Sequence, residues 1–357
     1  MWPYYAMFFV AALGVVASKF GRRRLPVGWI AVGIALSLLI GFRWKVGGDW
    51  GFEHGLFQRV EGLPLFEALQ KADPGFAFIG WLFAETGFNV WTLNLTCGTI
   101  FTIGMLAFCR AQPNPWLALV VAIPYLVIVV AMGYSRQSVA IGFVMLGLVA
   151  LQGGRLVRFL VFMALATSVH VTAALLIPIG ILGGRKQSIK RLIFGVPVGL
   201  ALFAYLLQDR VDNFVVGYIE AQYQSSGALI RVFMNAVPAA LFFLFRARMG
   251  LNPNSFRLWS VMCLIALAFI GLLAISPSST AVDRMALYFI PIQLFVWNRL
   301  PQALTRSSAK VSSFIKMVIL YSLTVLTIWL NFADASYAWL PYQLFPYDQL
   351  WGLSTGY

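Results

Sequence analysis

The sequence predicts an all-α fold, a polytopic membrane bundle, and three observations predict it. Of the 357 residues, 61% are hydrophobic and only 11% charged, where a soluble globule carries about 25% charge. Mean hydropathy is +0.83, and apolar runs of helical length recur along the whole chain rather than once, as in a multi-pass protein and not a soluble domain with one anchor. The basic residues, which give a net charge of +14, are also segregated from the acidic ones. Together these read as one transmembrane domain over residues 1–357, without internal repeats or low-complexity tracts.

The apolar runs at 2–18, 26–42, 90–109, 116–133, 138–152, 157–169, 171–184, 192–207, 229–246, 257–275, 285–299 and 314–331 each predict a crossing, about 12 helices in all,. The first run has no basic residues ahead of it and "KFGRRR" (19–24) behind it, which predicts a helix inserted N-terminus outward and not a cleaved signal peptide. Further basic loops are "GGRLVR" (153–158), "RKQSIKR" (185–191), "RARMGLNPNSFR" (246–257) and the stretch from Arg299 to Lys316. With Arg110 they hold most of the 26 Lys and Arg and none of the 12 Asp and Glu, so they face the cytoplasm. A nucleic-acid partner does not fit charge distributed in this way. Twelve crossings from an outward N-terminus leave the C-terminus outward as well.

The remaining loops, 43–89 and 208–228 chief among them, then face outward. Within the first, "PGFAFIGWLFAETG" (74–87) is apolar but short, and reads as a helix at the outer interface. Residues 157–184 lie between two basic loops, so two crossings of about 13 residues must share them. Each reaches only ~20 Å against a ~30 Å core, so the hairpin should be thin, tilted or broken, with His170 at its apex.

Polar residues gather at these outer ends: Arg43, Asp49, Arg136, Gln137, His170, Asp283 and Arg284 fall near one membrane level. Arginine at a helix end can snorkel to the interface. Several at one outward level instead suit a pyrophosphate, whose oxygens guanidinium forks chelate in pairs; the competing expectation is internal pairing, for instance Arg43 with Asp49. His170, one of only 2 histidines, is either a structural residue or a catalyst that accepts a hydroxyl proton or, protonated, binds phosphate. Asp49, after two glycines and before Trp50, reads as a carbohydrate-contacting loop or as a polar turn. No HExxH, DxD, Walker or dinucleotide-binding motif stands in a plausible context, and Cys97, Cys109 and Cys263 lack metal-ligand spacing,. A metal, a cofactor and a cytoplasmic nucleotide are therefore not expected. The tail "YAWLPYQLFPYDQLWGL" is an interfacial anchor or an aromatic lip over a glycan groove.

Several segments, in order, resemble one family. "GFRWKVGGDW" resembles the outer-loop signature of the EpsG-like polysaccharide polymerases, and "ADPGFAFIGWLF" the Asp-Pro-Gly-aromatic start of a helix in that family. "YSRQSVAIGF" is similar to its Arg-Gln motif, "TSVHVTAALL" to its histidine before a small-residue helix, "DRMALYFIP" to its Arg-x-x-x-Tyr element, and "WLPY" recurs near its end. Phe52, Glu53 and His54 stand where the family often has a tyrosine. The resemblance implies a Wzy-like polymerase of exopolysaccharide, capsule or O-antigen, with the architecture of lipid-dependent glycosyltransferases. It implies undecaprenyl-pyrophosphate-linked oligosaccharides as donor and acceptor, inversion at the anomeric carbon, and a chain-length regulator as a further partner. Arg136, Asp49 and His170 would be catalytic; Arg43, Gln137, Asp283, Arg284, Tyr288, Trp50 and Tyr342 would bind substrate. An O-antigen ligase, a lipid-linked glycan transporter and a membrane acyltransferase are the competing readings.

Overall fold

A computed structural model describes residues 1–18, 27–183, 224–225 and 227–345. Helices fall on the predicted apolar runs throughout these residues: α1 (Trp2–Ala17), α2 (Val27–Gly41), α6 (Val90–Arg110), α7 (Pro115–Ala122), α8 (Ser135–Gln152), α9 (Leu156–Val169), α10 (Ile177–Gly183), α11 (Ala228–Phe245), α12 (Pro253–Ile275), α14 (Pro291–Leu304) and α15 (Ser308–Phe332). Among the described residues no β-strand occurs; an isolated bridge joins Arg43 to Leu344. Among the described residues five helices, α6, α8, α11, α12 and α15, are long and apolar enough to cross a membrane, so the chain is a helical membrane protein. The predicted run at 192–207 and most of the predicted outer loop 208–228 lie outside the described residues.

Local sequence explains the helix starts. Asn89, Asn114, Asn252 and Ser278 each accept a hydrogen bond from a backbone N–H in the first turn of the helix that follows, satisfying donors that a helix leaves open. Between α2 and α6 the long loop folds into α3 (Trp50–Val60), α4 (Leu65–Ala68) and α5 (Pro74–Glu85). The 12 residues of α5 reach only ~18 Å, short of a hydrocarbon core.

The core is built around α7. From Leu117 to Met132 every residue is buried, as expected for a helix that is apolar all round and surrounded by others. At Ile123 the helix widens into a π-helix that runs to Ala131. Pro124 supplies a cause, because its ring lacks an N–H and crowds the carbonyl four residues back. Beside it, α8 approaches α6 closely through paired glycines: a Cβ at Gly104 would lie 2.1 Å from the Gly142 carbonyl oxygen, the small-residue contact common between membrane helices.

The 157–184 hairpin is broken at its apex. His170 ends α9 in an extended conformation, and Val171–Leu176 then winds as a 3₁₀ helix before α10.

Candidate active site

The loop "GFRWKVGGDW" sets the site's position. Gly47 has φ +100, and a Cβ there would lie 1.9 Å from the Met132 carbonyl oxygen. Only glycine fits that combination of left-handed backbone and close approach. The loop is pinned on both sides, since Gly47 N–H donates to the Ala338 carbonyl at 2.8 Å and Asp49 N–H to the Gly133 carbonyl at 2.9 Å. Asp49 is thereby held beside the turn that starts α8. Gly133 is itself crowded: Trp339 lies 2.1 Å from where its Cβ would stand, and the Trp339 indole donates to the Ile128 carbonyl at 2.7 Å.

Arg43 departs from its expected role. Its side chain is 1% exposed and faces inward. Nε donates to the Val46 carbonyl at 3.1 Å, Nη1 to the Ile40 carbonyl at 2.8 Å, and Nη2 to both Glu53 carboxylate oxygens at 2.8 and 2.9 Å and to Ser135 Oγ at 2.6 Å. Internal pairing occurs, but with Glu53 rather than Asp49. Burial pushes the Glu53 carboxyl above its ordinary range, against the pull of the Arg43 guanidinium. Arg43 therefore braces the loop against α3 and the first residue of α8.

Arg136 sits in the first turn of α8 with its side chain 26% exposed. Nη1 donates to Asp73 Oδ2 at 3.2 Å, the guanidinium lies 4.2 Å above the Phe52 ring, and Nε is buried without a hydrogen-bond partner among the described residues. Asp73 directly precedes Pro74 at the start of α5, which rests against the end of α9: a Cβ at Gly75 would meet Ser168 Oγ at 2.6 Å. The Asp-Pro-Gly sequence thus places a carboxylate on Arg136 and α5 beside the His170 apex.

Arg284 lies 3.9 Å above the Tyr134 ring; among the described residues no carboxylate pairs with it. Gln137 holds that segment in place, its Nε2 donating to the Arg284 backbone carbonyl at 2.6 Å. At 1% exposure Gln137 is a clamp on the backbone, contrary to the expectation that it contacts substrate. Asp283 is also turned inward, pairing with Arg231 of α11 (Nη2 to Oδ2, 2.6 Å) beside Ser225. The sequence alone does not single out Arg231, because an arginine near the start of an apolar run gives no sign of which carboxylate it meets.

His170 Nδ1 lies 2.8 Å from Thr172 Oγ1, which lies 3.1 Å from the buried Tyr288 hydroxyl. Burial, with the nearby charges of Arg136 and Arg284, lowers the His170 pKa to about 3, so the ring is neutral at physiological pH. The same two guanidiniums act on Asp49. Burial raises the Asp49 carboxyl above its ordinary range while Arg284, Arg136 and Arg43 pull it down, and no hydrogen bond from its carboxylate occurs among the described residues. Asp49, Arg136, His170 and Arg284 are thus one electrostatic cluster, with Gln137, Thr172 and Tyr288 directly behind it.

The predicted aromatic contacts separate. Trp50 is part-exposed and packs with Trp44 and Trp91 at ring distances of 5.5 and 5.3 Å, and Trp91 stacks on Phe345 at 4.1 Å. Tyr342 instead donates its hydroxyl to the Leu39 carbonyl at 2.7 Å and packs edge-on against Tyr4. It ties the tail to α1 and α2 and is not free to bind substrate through its hydroxyl. Among the described residues no group of three His, Cys, Asp or Glu is placed to hold a metal ion.

No curated protein and no solved structure matches the chain. Residues 27–344 match the EpsG family, a span that contains every member of the cluster, and the chain belongs to that family of polysaccharide polymerases.

Proposed function

We propose that this protein is a Wzy-type polymerase that joins oligosaccharide repeats carried on undecaprenyl pyrophosphate, at the periplasmic face of a bacterial inner membrane. The observation that carries this reading is that two guanidiniums, Arg136 and Arg284, share one cluster with a carboxylate, Asp49, and a neutral imidazole, His170. Anionic headgroups and sugar hydroxyls call for these two kinds of group.

The reaction is a single displacement. A hydroxyl of the acceptor repeat attacks the donor's anomeric carbon, and the bond from that carbon to the diphosphate oxygen breaks. The electron pair leaves on the diphosphate, and the hydroxyl proton passes to Asp49 or His170. Attack opposite the leaving group inverts the anomeric configuration. Arg136 and Arg284 neutralise the charge that develops on the leaving group, an electrostatic contribution of the kind that often dominates catalysis. Trp50, on the aromatic wall beside Asp49, suits packing against a sugar ring. A chain-length regulator is a further partner, and both termini lie on the periplasmic side.

The test is a reconstituted assay. Purified protein in lipid receives the lipid-diphosphate oligosaccharide and no nucleotide sugar. A ladder of longer lipid-linked oligosaccharides with release of undecaprenyl pyrophosphate supports the reading, and an unchanged single-repeat substrate refutes it. Transfer to lipid A with no ladder would assign the chain as a ligase.

A further inference from the structure

His170 has two ring nitrogens and one neutral-state proton, and its neighbours decide which nitrogen holds it. Nδ1 faces the Thr172 hydroxyl at 2.8 Å, and that hydroxyl faces the Tyr288 hydroxyl at 3.1 Å. Tyr288 is 0% exposed, and Thr172 is its hydroxyl's hydrogen-bond partner among the described residues. A phenol titrates near pH ~10 and so keeps its proton at neutral pH. Leaving that buried donor unpaired is costly, so it donates to Thr172 Oγ1. The threonine's single proton then points the other way, to Nδ1, which must present a lone pair. The reverse chain, from Nδ1–H through Thr172 to Tyr288, would leave the phenolic proton buried without an acceptor, and a threonine oxygen accepting from both Nδ1–H and the phenol would leave the threonine's own proton without a partner among the described residues.

We propose that Thr172 and Tyr288 fix His170 as the Nε2–H tautomer, so that its exposed nitrogen donates a hydrogen bond to a diphosphate oxygen and does not take the proton of the attacking hydroxyl. Burial, with the guanidiniums of Arg136 and Arg284 as the charged groups acting on His170, keeps the ring neutral, so no second proton blurs this direction. Asp49 is left as the group that accepts the hydroxyl proton. Thr172 and Tyr288 are positioning residues acting through His170. The assignment of the diphosphate as Nε2's partner rests on the polymerase reading; the tautomer does not.

The test exploits the presence of only 2 histidines. His54 is exposed and pairs with Gln58 away from the cluster, so His54→Gln leaves His170 as the sole imidazole. Solid-state ¹⁵N NMR of that protein, ring-labelled and in lipid at neutral pH, is expected to give a protonated Nε2 and an unprotonated Nδ1. A protonated Nδ1, an imidazolium or an even tautomer mixture would overturn the proposal whatever the enzyme's activity. Thr172→Ser should keep the wild-type pattern, whereas Thr172→Val and Tyr288→Phe should release it. Those two should also lower kcat by about 10–100-fold, as loss of an orienting partner does, with KM little changed. Loss of the tautomer with unchanged kcat would overturn the hydrogen bond to the leaving group. Correct NMR with no polymer from wild type would instead indict the polymerase reading.

Discussion

Arg43 and Glu53 form a closed pair, one guanidinium nitrogen lying 2.8 and 2.9 Å from the two carboxylate oxygens with both side chains 1% exposed. Breaking a buried pair by removing one partner leaves an uncompensated charge and costs about 3–5 kcal/mol. Arg43→Ala and Glu53→Ala should therefore lower thermal stability in detergent and reduce folded yield. Any Arg43→Ala protein that remains folded should still bind lipid diphosphate, because Arg43 does not face the cluster. A folded, wild-type-stable Arg43→Ala with no substrate binding would place Arg43 in the site after all.

Arg136 behaves in the opposite way. Its pair with Asp73 is part-exposed at 3.2 Å, and such pairs contribute roughly 0–1 kcal/mol. Arg136→Ala should keep its melting temperature close to wild type, while kcat falls by about 100–1,000-fold, the usual effect of removing one preorganised donor from a developing anion. Arg284→Ala should do the same. Arg284→Lys should recover only part of the loss, since an ammonium keeps the charge but not the planar fork. Single-repeat lipid-linked substrate should accumulate in cells carrying either alanine variant, and normal polymer lengths would remove that arginine from the mechanism.

Gly47→Ala tests how the loop delivers Asp49. The substitution adds a methyl 1.9 Å from the Met132 carbonyl oxygen at φ +100, so either the loop or the end of the π-helix must move. A left-handed alanine costs roughly 1–2 kcal/mol before that clash is counted. Since Asp49 hangs from the same loop through its bond to Gly133, kcat should fall along with stability. Gly51→Ala, where the added Cβ meets open space, serves as the control and should leave kcat unchanged.

Charge segregation and apolar boundaries put Arg43, Asp49, Arg136, Gln137, His170, Asp283 and Arg284 on one level; of these seven the structure couples Asp49, Arg136, His170 and Arg284 and buries Arg43, Gln137 and Asp283. Direction was not legible. Arg43 and Arg136 both stand near the outer end of an apolar run, but Arg43 turns inward because Glu53, a turn into α3, meets it under cover of Ser135. Asp283 turns inward because α11 presents Arg231. Which carboxylate meets which arginine depends on helix rotation and crossing, quantities that hydropathy does not carry. The π-helix was hidden for a similar reason: a uniformly apolar run has no face on which a change of period could register, and Pro124 was the one available cue. The broken hairpin, by contrast, followed from counting residues between two basic loops.

With Asp49 as the proton acceptor, its carboxylate must be ionised, so kcat/KM rises as pH climbs through the Asp49 pKa and is lost below it. Burial sets that pKa above an ordinary aspartate, and Arg284 and Arg136 restrain it. Removing the charge of Arg136 removes one restraint, so in Arg136→Ala the acidic limb should move to higher pH, while Arg136→Lys should leave it near wild type. His170 titrates at about 3, far below the usual histidine value of about 6.5, and is neutral throughout the working range. The wild-type profile should therefore carry no histidine inflection near neutrality. The measurement is the pH dependence of kcat/KM for wild type, Arg136→Ala, Arg136→Lys and His170→Gln on the same lipid-diphosphate substrate. An inflection near pH ~6.5 that disappears in His170→Gln would show the imidazole exchanging protons during turnover and would transfer the base role from Asp49 to His170.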